Sequence, residues 1–313
     1  MNQITTALVL AAFLPAAVAQ TGASVNPFLG RWDITVATAR GSYPDWMNVE
    51  RTDCCLAATI QPRSGGAVQA SSVKWDGSRL TVTVGRPTDK RPATTWELTA
   101  GGGQFTGTIK QGDAVQGRVS GVRAPALQRP MPAAWTGPQP LFNGKDLTGW
   151  EPIGAAAVSH WVAKNGELVN EDHGANLETT RKFDDFKLHI EYNCPDGGNS
   201  GIYLRGRYEV QIEYEAVDAG DPHHGIGSIY SFLAPAVNLP RTPGEWESFD
   251  ITLVGRFVTI VRNGVKTIDN REIPGITGGA LDSREGEPGP FYIQGDHTGV
   301  MRYRNITVSV PKQ

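Results

Sequence analysis

Two short runs constrain this chain more than any other feature. In Phe186-Lys187-Leu188-His189-Ile190-Glu191-Tyr192 apolar and polar side chains alternate without a break, and Tyr208-Glu209-Val210-Gln211-Ile212-Glu213-Tyr214 repeats the pattern. A period of two fits a strand with one buried face and does not fit a helix, whose faces recur every 3.6 residues. No other segment restores a sustained helical period. Arg256–Ile260 followed by Val261-Arg262-Asn263-Gly264-Val265-Lys266 reads as a hairpin with Asn-Gly in a type I′ turn. Further strands are expected at Trp246–Val254, Phe291–Gln294 and Tyr303–Val310. About a dozen short strands over roughly 170 residues predict an all-β, two-sheet sandwich of jelly-roll type.

That sandwich occupies only the second part of the 313 residues. Residues 24–123 form a separate β-rich unit, with strand-like runs at Arg31–Ala37, Ala67–Trp75, Leu80–Val84, Thr94–Leu98, Gln104–Ile109 and Ala114–Val119. Turn signals such as Asp76-Gly77 and Gly101-Gly102-Gly103 divide them, so a small barrel or meander is expected. The opening Gly30-Arg31-Trp32 resembles the G-x-W start of lipocalin-like barrels. Residues 124–139 carry Pro125, Pro130, Pro132 and Pro138 and no hydrophobic period, which marks a stiff linker before a domain over 140–311.

The N-terminus predicts export. Residues 2–19 hold no charge, and the apolar run Ala7–Leu14 is far short of the roughly 20 residues that span a bilayer. The small-residue stretch ending at Ala19 completes a secretory leader over residues 1–19, so a periplasmic or secreted protein with no membrane span is expected. Cys54, Cys55 and Cys194 are odd in number, have no metal-type spacing and read mostly as buried or structural residues. The formal charge of −3 excludes a polybasic nucleic-acid binder. G-x-S-x-G, H-E-x-x-H, P-loop and dinucleotide signatures are all missing from the sequence.

Each alternating strand leaves a polar row: Lys187, His189 and Glu191 on one, Glu209, Gln211 and Glu213 on the other. For either strand alone the plain reading is a solvated outer face. Neighbouring features favour a site for the second row. Asp196–Gly201, containing Asn199, is a tight turn ahead of a strand with Tyr203 and Arg205, and the turn at Gly206 can set Arg205 beside Glu209. Gln294, Asp296 and His297 cluster at the end of another strand. A carboxylate, a guanidinium, amides and an imidazole on one concave sheet can bind a sugar or move its protons. His223 and His224 lie in a loop, 218–227, that can act as a lid, while Trp150, Trp161 and Trp246 are expected core anchors.

The run Pro140-Leu141-Phe142-Asn143-Gly144-Lys145-Asp146-Leu147-Thr148-Gly149-Trp150, which opens the second domain, resembles the start of the 3-keto-disaccharide hydrolase family. It is followed in order by Trp161 with Asn165-Gly166-Glu167-Leu168, Phe186–Tyr192, Gly198–Gly206, Tyr208–Ile212, Gly244-Glu245-Trp246, Asn263-Gly264, Gly289–Gln294, Asp296-His297 and Arg304-Asn305-Ile306. The resemblance implies a concanavalin A-like jelly roll acting on 3-keto-glycosides, sugars oxidised at C3 by a partner glycoside 3-dehydrogenase. A C3 ketone acidifies the C2 proton, so a base can remove it; the enolate then expels the C1 substituent and water adds. The chemistry needs a base of tuned pKa and a positive group at the enolate oxygen rather than a paired-carboxylate glycosidase site.

On that reading Glu209 or His297 is the base and Arg205 stabilises the enolate. Asn199, Tyr203, Gln211, Gln294 and Asp296 hold the sugar. No particular cofactor is specified; a divalent cation on Glu209, Asp296 or His297 matches the donor types, but no spacing demands one. The rival reading is a non-catalytic carbohydrate-binding protein, because this fold does not fix function.

Overall fold

The computed structural model describes residues 26–86, 92–214 and 220–312. The expected leader lies outside them. Among the described residues no helix is long and apolar enough to cross a membrane.

The first unit is a nine-stranded antiparallel sheet of β1 (Gly30–Thr38), β2 (Gly41–Arg51), β3 (Leu56–Gln61), β4 (Val68–Gln69), β5 (Ser72–Trp75), β6 (Arg79–Val84), β7 (Thr94–Gly101), β8 (Gln104–Gln111) and β9 (Ala114–Arg123). Its order is β4-β3-β2-β1-β9-β8-β7-β6-β5. The two ends meet where the chain steps from β4 to β5. Ala70 N–H donates to Ala58 O on β3, and the next residue, Ser71, donates to Thr83 O on β6. The sheet therefore closes on itself as a barrel, which removes its free edges. Phe28, Trp32, Ile34, Met47, Leu98 and Phe105 fill the interior. Trp32 of the G-x-W opening is buried, donates from Nε1 to Phe28 O at 2.7 Å, and carries the Arg123 guanidinium 3.9 Å above its ring.

Strands β2 and β3 are absent from the sequence expectation, and β2 shows why. Met47 and Val49 enter the barrel core, whereas Trp46, next to Met47 on the opposite face, packs into the core of the second domain. A strand buried on both faces does not alternate, and Pro44 adds a local signal against pairing. Cys54 and Cys55 lie on the β2–β3 turn and are exposed, with Sγ atoms 2.6 Å apart, so the expectation of buried cysteines is corrected for both and holds for Cys194 alone.

The proline-rich stretch makes almost no ladder, yet it is not a free tether. Leu127 O accepts from Arg256 N–H, and the Arg129 guanidinium bridges Asp184 and Asp185 at 2.5 and 3.0 Å. It runs as a strap along the second domain.

That domain comprises β10 (Gln139–Pro140), β11 (Trp150–Pro152), β12 (Trp161–Lys164), β13 (Glu167–Asn170), β14 (Leu177–Thr179), β15 (Phe186–Asn193), β16 (Asn199–Leu204), β17 (Tyr208–Glu213), β18 (Trp246–Val254), β19 (Phe257–Arg262), β20 (Val265–Glu272), β21 (Tyr292–Ile293) and β22 (Met301–Ser309). They form two antiparallel sheets, β12-β13-β22-β15-β18-β19-β20 with β10 beside β22, and β11-β14-β21-β16-β17. Inward residues of both sheets, among them Leu188, Ile190, Tyr192, Ile202, Val210, Ile212 and Ile293, make one core. The architecture is a jelly-roll sandwich preceded by a small barrel. Asn263 and Gly264 both have positive φ, 50° and 78°, as a type I′ hairpin turn requires. Trp150 and Trp161 are buried anchors, each donating from Nε1 to a backbone carbonyl, while Trp246 is half-buried under Arg302 and Arg304.

Barrel and sandwich are packed together. Trp46 meets Phe232 edge-on with ring centroids 5.6 Å apart, and a Cβ at Gly275 would overlap the Trp46 indole. Arg31 pairs with Glu272. Asp33 is buried beside Glu285, and burial, together with that second carboxyl, pushes its pKa well up.

Candidate active site

The site grows from the register of three neighbouring strands. Tyr203 pairs with Glu209, Gly201 with Gln211 and Asn199 with Glu213 across β16 and β17, and Tyr203 pairs with Tyr292 across β16 and β21. Period two then places Asn199, Tyr203, Glu209, Gln211, Tyr292 and the following Gln294 on one face. The alternate residues, Ile202, Val210 and Ile212, face the core. Gly201 leaves the room this face needs. A Cβ there would overlap Glu209 Oε1 and come within 2.8 Å of Gln294 Oε1.

These side chains line a cavity of about 270 Å³. Glu209 lies at its floor, 5% exposed. Tyr203 has one hydroxyl proton and two acceptors within reach, Gly278 O at 2.6 Å and Glu209 Oε2 at 2.9 Å. A carbonyl can only accept, so the Tyr203 proton belongs with Gly278 and the contact to Glu209 is completed by a proton on the carboxyl. Electrostatics agree. Burial pushes the Glu209 pKa up to about 8, and the Tyr203 hydroxyl and the nearby His297 offset it only in part. Tyr292 stacks on Tyr203 with centroids 3.9 Å apart and donates to Gly279 O.

The opposite wall is built from the loop after β21. Asn176 Oδ1 accepts from Gly295 N–H at 2.8 Å, which fixes the loop's exit. Asp296 Oδ1 lies 2.9 Å from His297 Nδ1. Burial alone would raise Asp296, but the hydrogen bond and charge of His297 outweigh it and hold the carboxyl below the usual range. The pocket thus contains one carboxyl kept protonated and one kept ionised. Gln211 Oε1 and Gln294 Oε1 are buried and have no hydrogen-bond partner among the described residues. Buried orphan acceptors at a cavity wall are where a ligand's hydroxyls bind.

Arg205 is not in this site, which corrects the expectation that it stands beside Glu209. It opens the three-residue turn between β16 and β17 with φ +53°, closed by Arg207 N–H to Leu204 O. That conformation turns the guanidinium to the other face, where it is fully buried, donates to Gly255 O and pairs with Asp184 at 3.2 Å. Among the described residues no Lys or Arg lines the cavity.

The segment after β17 is docked rather than open. Gly227 N–H donates to Gln211 O, Gln211 N–H to Ser228 O and Tyr230 N–H to Glu209 O. This corrects the expected lid as far as 220–227; residues 215–219 lie outside the described residues. His223 is tied to Asp221, and His224 stacks on Tyr230, which reaches the cavity. Among the described residues no three His, Cys, Asp or Glu side chains group as a metal site, Glu209, Asp296 and His297 included.

Asn176, Tyr230, Tyr292, Ser64, Gly65, Gly278 and Gly279 complete the lining and were not foreseen. Tyr292 was legible, since it stands two residues before Gln294. The others carry no local signal.

An antiparallel jelly roll whose pocket presents amides, tyrosines, a protonated carboxyl and an Asp–His pair has the groups needed to bind hydroxyls and move protons. Comparison with known proteins narrows this. Residues 137–309 match the profile of the 3-keto-alpha-glucoside-1,2-lyase-like domain, which covers more than half of the chain, and the protein belongs to that family. A 3-keto-disaccharide hydrolase of Bacteroides thetaiotaomicron is 23% identical over 190 residues, 58% of this chain and 55% of its own length. The chain thus spans about half the length of that curated relative. Two structures of candidate glycosyl hydrolases from Parabacteroides distasonis align with TM-scores of 0.47 each, at 28% and 20% identity. They cover 58% and 55% of this chain and 92% and 93% of their own.

Proposed function

We propose that this protein cleaves glycosides whose C3 hydroxyl has been oxidised to a ketone. The observation that carries the reading is the pair of oppositely tuned carboxyls in one pocket, which separates an acid from a base. Ionised Asp296 accepts the Nδ1 proton of His297 and leaves Nε2 as the ring's acceptor, so His297 removes the proton from C2. The C–H electron pair becomes the C2–C3 double bond of an enolate, the C1–O bond breaks, and protonated Glu209 gives its proton to the leaving oxygen. Water then adds at C1: Glu209 takes its proton, and His297 returns the first proton to C2. The net change is hydrolysis, and release before hydration would be a lyase reaction.

Among the described residues no Lys or Arg lines the pocket, so the enolate charge meets the Gln211 amide and the imidazolium that His297 becomes on taking the C2 proton, while Glu209 serves the leaving oxygen. Asn199, Tyr203 and Gln294 hold the sugar. Asp296, engaged by His297 and Asn176, orients the imidazole rather than attacking carbon. The substrate requires a preceding dehydrogenation at C3. The uncharged N-terminal run supports exported action.

The test is incubation of the protein with a 3-keto-disaccharide and with its unoxidised parent, followed by mass spectrometry. Release from the keto sugar alone is expected. Saturable binding of a glycan without release from either would establish the carbohydrate-binding reading instead.

A further inference from the structure

The barrel reaches into the pocket. Ser64 and Gly65, on the β3–β4 loop, line the same cavity as Glu209 although they belong to the other domain. The loop is built and held. Gln61 Nε2 donates to both Pro62 O and Gly65 O at 2.8 Å. The buried Asp45 carboxyl takes the backbone N–H of Arg63. From the sandwich side, Gly279 N–H donates to Arg63 O at 2.8 Å, and Ala67 N–H donates to Ser231 Oγ at 2.8 Å. Two glycines permit this approach: a Cβ at Gly278 would overlap Gly65 O, and one at Gly66 would come within 2.8 Å of Ser231 Oγ.

The carbonyls of Gly278 and Gly279 are also the acceptors of Tyr203 and Tyr292. One backbone turn therefore joins the barrel loop to the floor of the site.

Depth assigns the loop its part. The reacting sugar must reach Glu209, which is buried at the floor, whereas Ser64 and Gly65 are exposed at the mouth. The cavity of about 270 Å³ is smaller than sites that enclose drug-sized ligands, roughly 300–1,000 Å³. It holds one sugar residue, so the group leaving from C1 lies at the mouth. We propose that the barrel loop is the subsite for that leaving group, a second sugar residue whose hydroxyls meet Ser64 Oγ and the backbone at Gly65, and that Ser64 is a specificity-determining residue. The inference rests on the keto-glycoside reading above.

The experiment compares kcat/KM for a 3-keto-disaccharide and for methyl 3-keto-glucoside in the wild type, Ser64→Tyr and Ser64→Ala. Tyrosine at the mouth is expected to lower the disaccharide value about tenfold, mainly through KM, and the methyl glycoside value no more than about threefold, with Ser64→Ala shifting the same ratio by about threefold. An unchanged ratio in both variants, whether because neither value falls or because both fall together, overturns the subsite. Turnover of neither keto sugar by the wild type would refute the reaction instead. Calorimetric binding of the same two sugars would then decide the subsite: selective weakening of the disaccharide in Ser64→Tyr supports it, and equal affinities refute it.

Discussion

β15 and β17 begin from the same alternating pattern and end in opposite situations. On β15 the polar row faces outward. Lys187 lies 5.0 Å over the Trp135 ring, His189 meets Asp250 at 2.7 Å, and Glu191 accepts from Arg304 and Asn305 at 2.7 Å each. Exposed pairs of this kind contribute about 0–1 kcal/mol each. On β17 the row of Glu209, Gln211 and Glu213 is entirely buried. There a carboxyl loses its hydration, which raises its pKa and readies it for proton transfer. Local sequence does not make the difference. The barrel loop and Tyr230 wall in one row, whereas the polar side chains of β15 stay exposed or half-buried.

The contrast is broken most severely at Glu209. Glu209→Gln keeps the shape and removes the transferable proton, so kcat should fall by about 10²–10⁴-fold with the fold intact, measured by steady-state turnover of a 3-keto-glucoside. The pH profile sharpens the assignment. An acid must be protonated, and the raised pKa of about 8 means that kcat/KM is lost as pH rises through that value. A rate that climbs through the same range would make Glu209 the base.

His297→Ala should cost about 10²-fold in kcat. Its effect belongs in kcat; a loss confined to KM would reduce the imidazole to a sugar contact.

Arg205→Lys tests the residue that geometry removed from the site. Its fully buried guanidinium pairs with Asp184, so the change should lower thermal stability by about 1–3 kcal/mol. Turnover by the folded fraction should drop less than about threefold, and a loss comparable to that of His297→Ala would return Arg205 to the chemistry. The smallest effect is expected on the open row. Glu191→Gln should change stability by less than about 1 kcal/mol in thermal melts and leave kcat unaltered.

How far the site was legible follows from these positions. Glu209 and Gln211 could be read because alternation places them on one face, and Asp296 with His297 because they follow a strand end. Arg205 failed because spacing along a hairpin does not reveal which way a turn residue with positive φ directs its side chain. Ser64 and Gly65 were unreadable, since a short glycine turn in one domain becomes a wall only where it meets another. In the barrel, alternation failed at β2 for a related reason: Trp46 serves the neighbouring core while Met47 serves its own.

The sequence by itself determined the strand-built architecture, the position of the Asn263-Gly264 hairpin and the polar rows from which a site had to be drawn. These depend on backbone geometry, which repeats every two residues and leaves its trace in neighbouring letters. Only the tertiary structure decided which row is buried, where Arg205 points and that the barrel closes over the sandwich. Desolvation and shape are set by atoms distant along the chain, and the pairing of Gly279 with Arg63 across more than two hundred residues leaves no local trace.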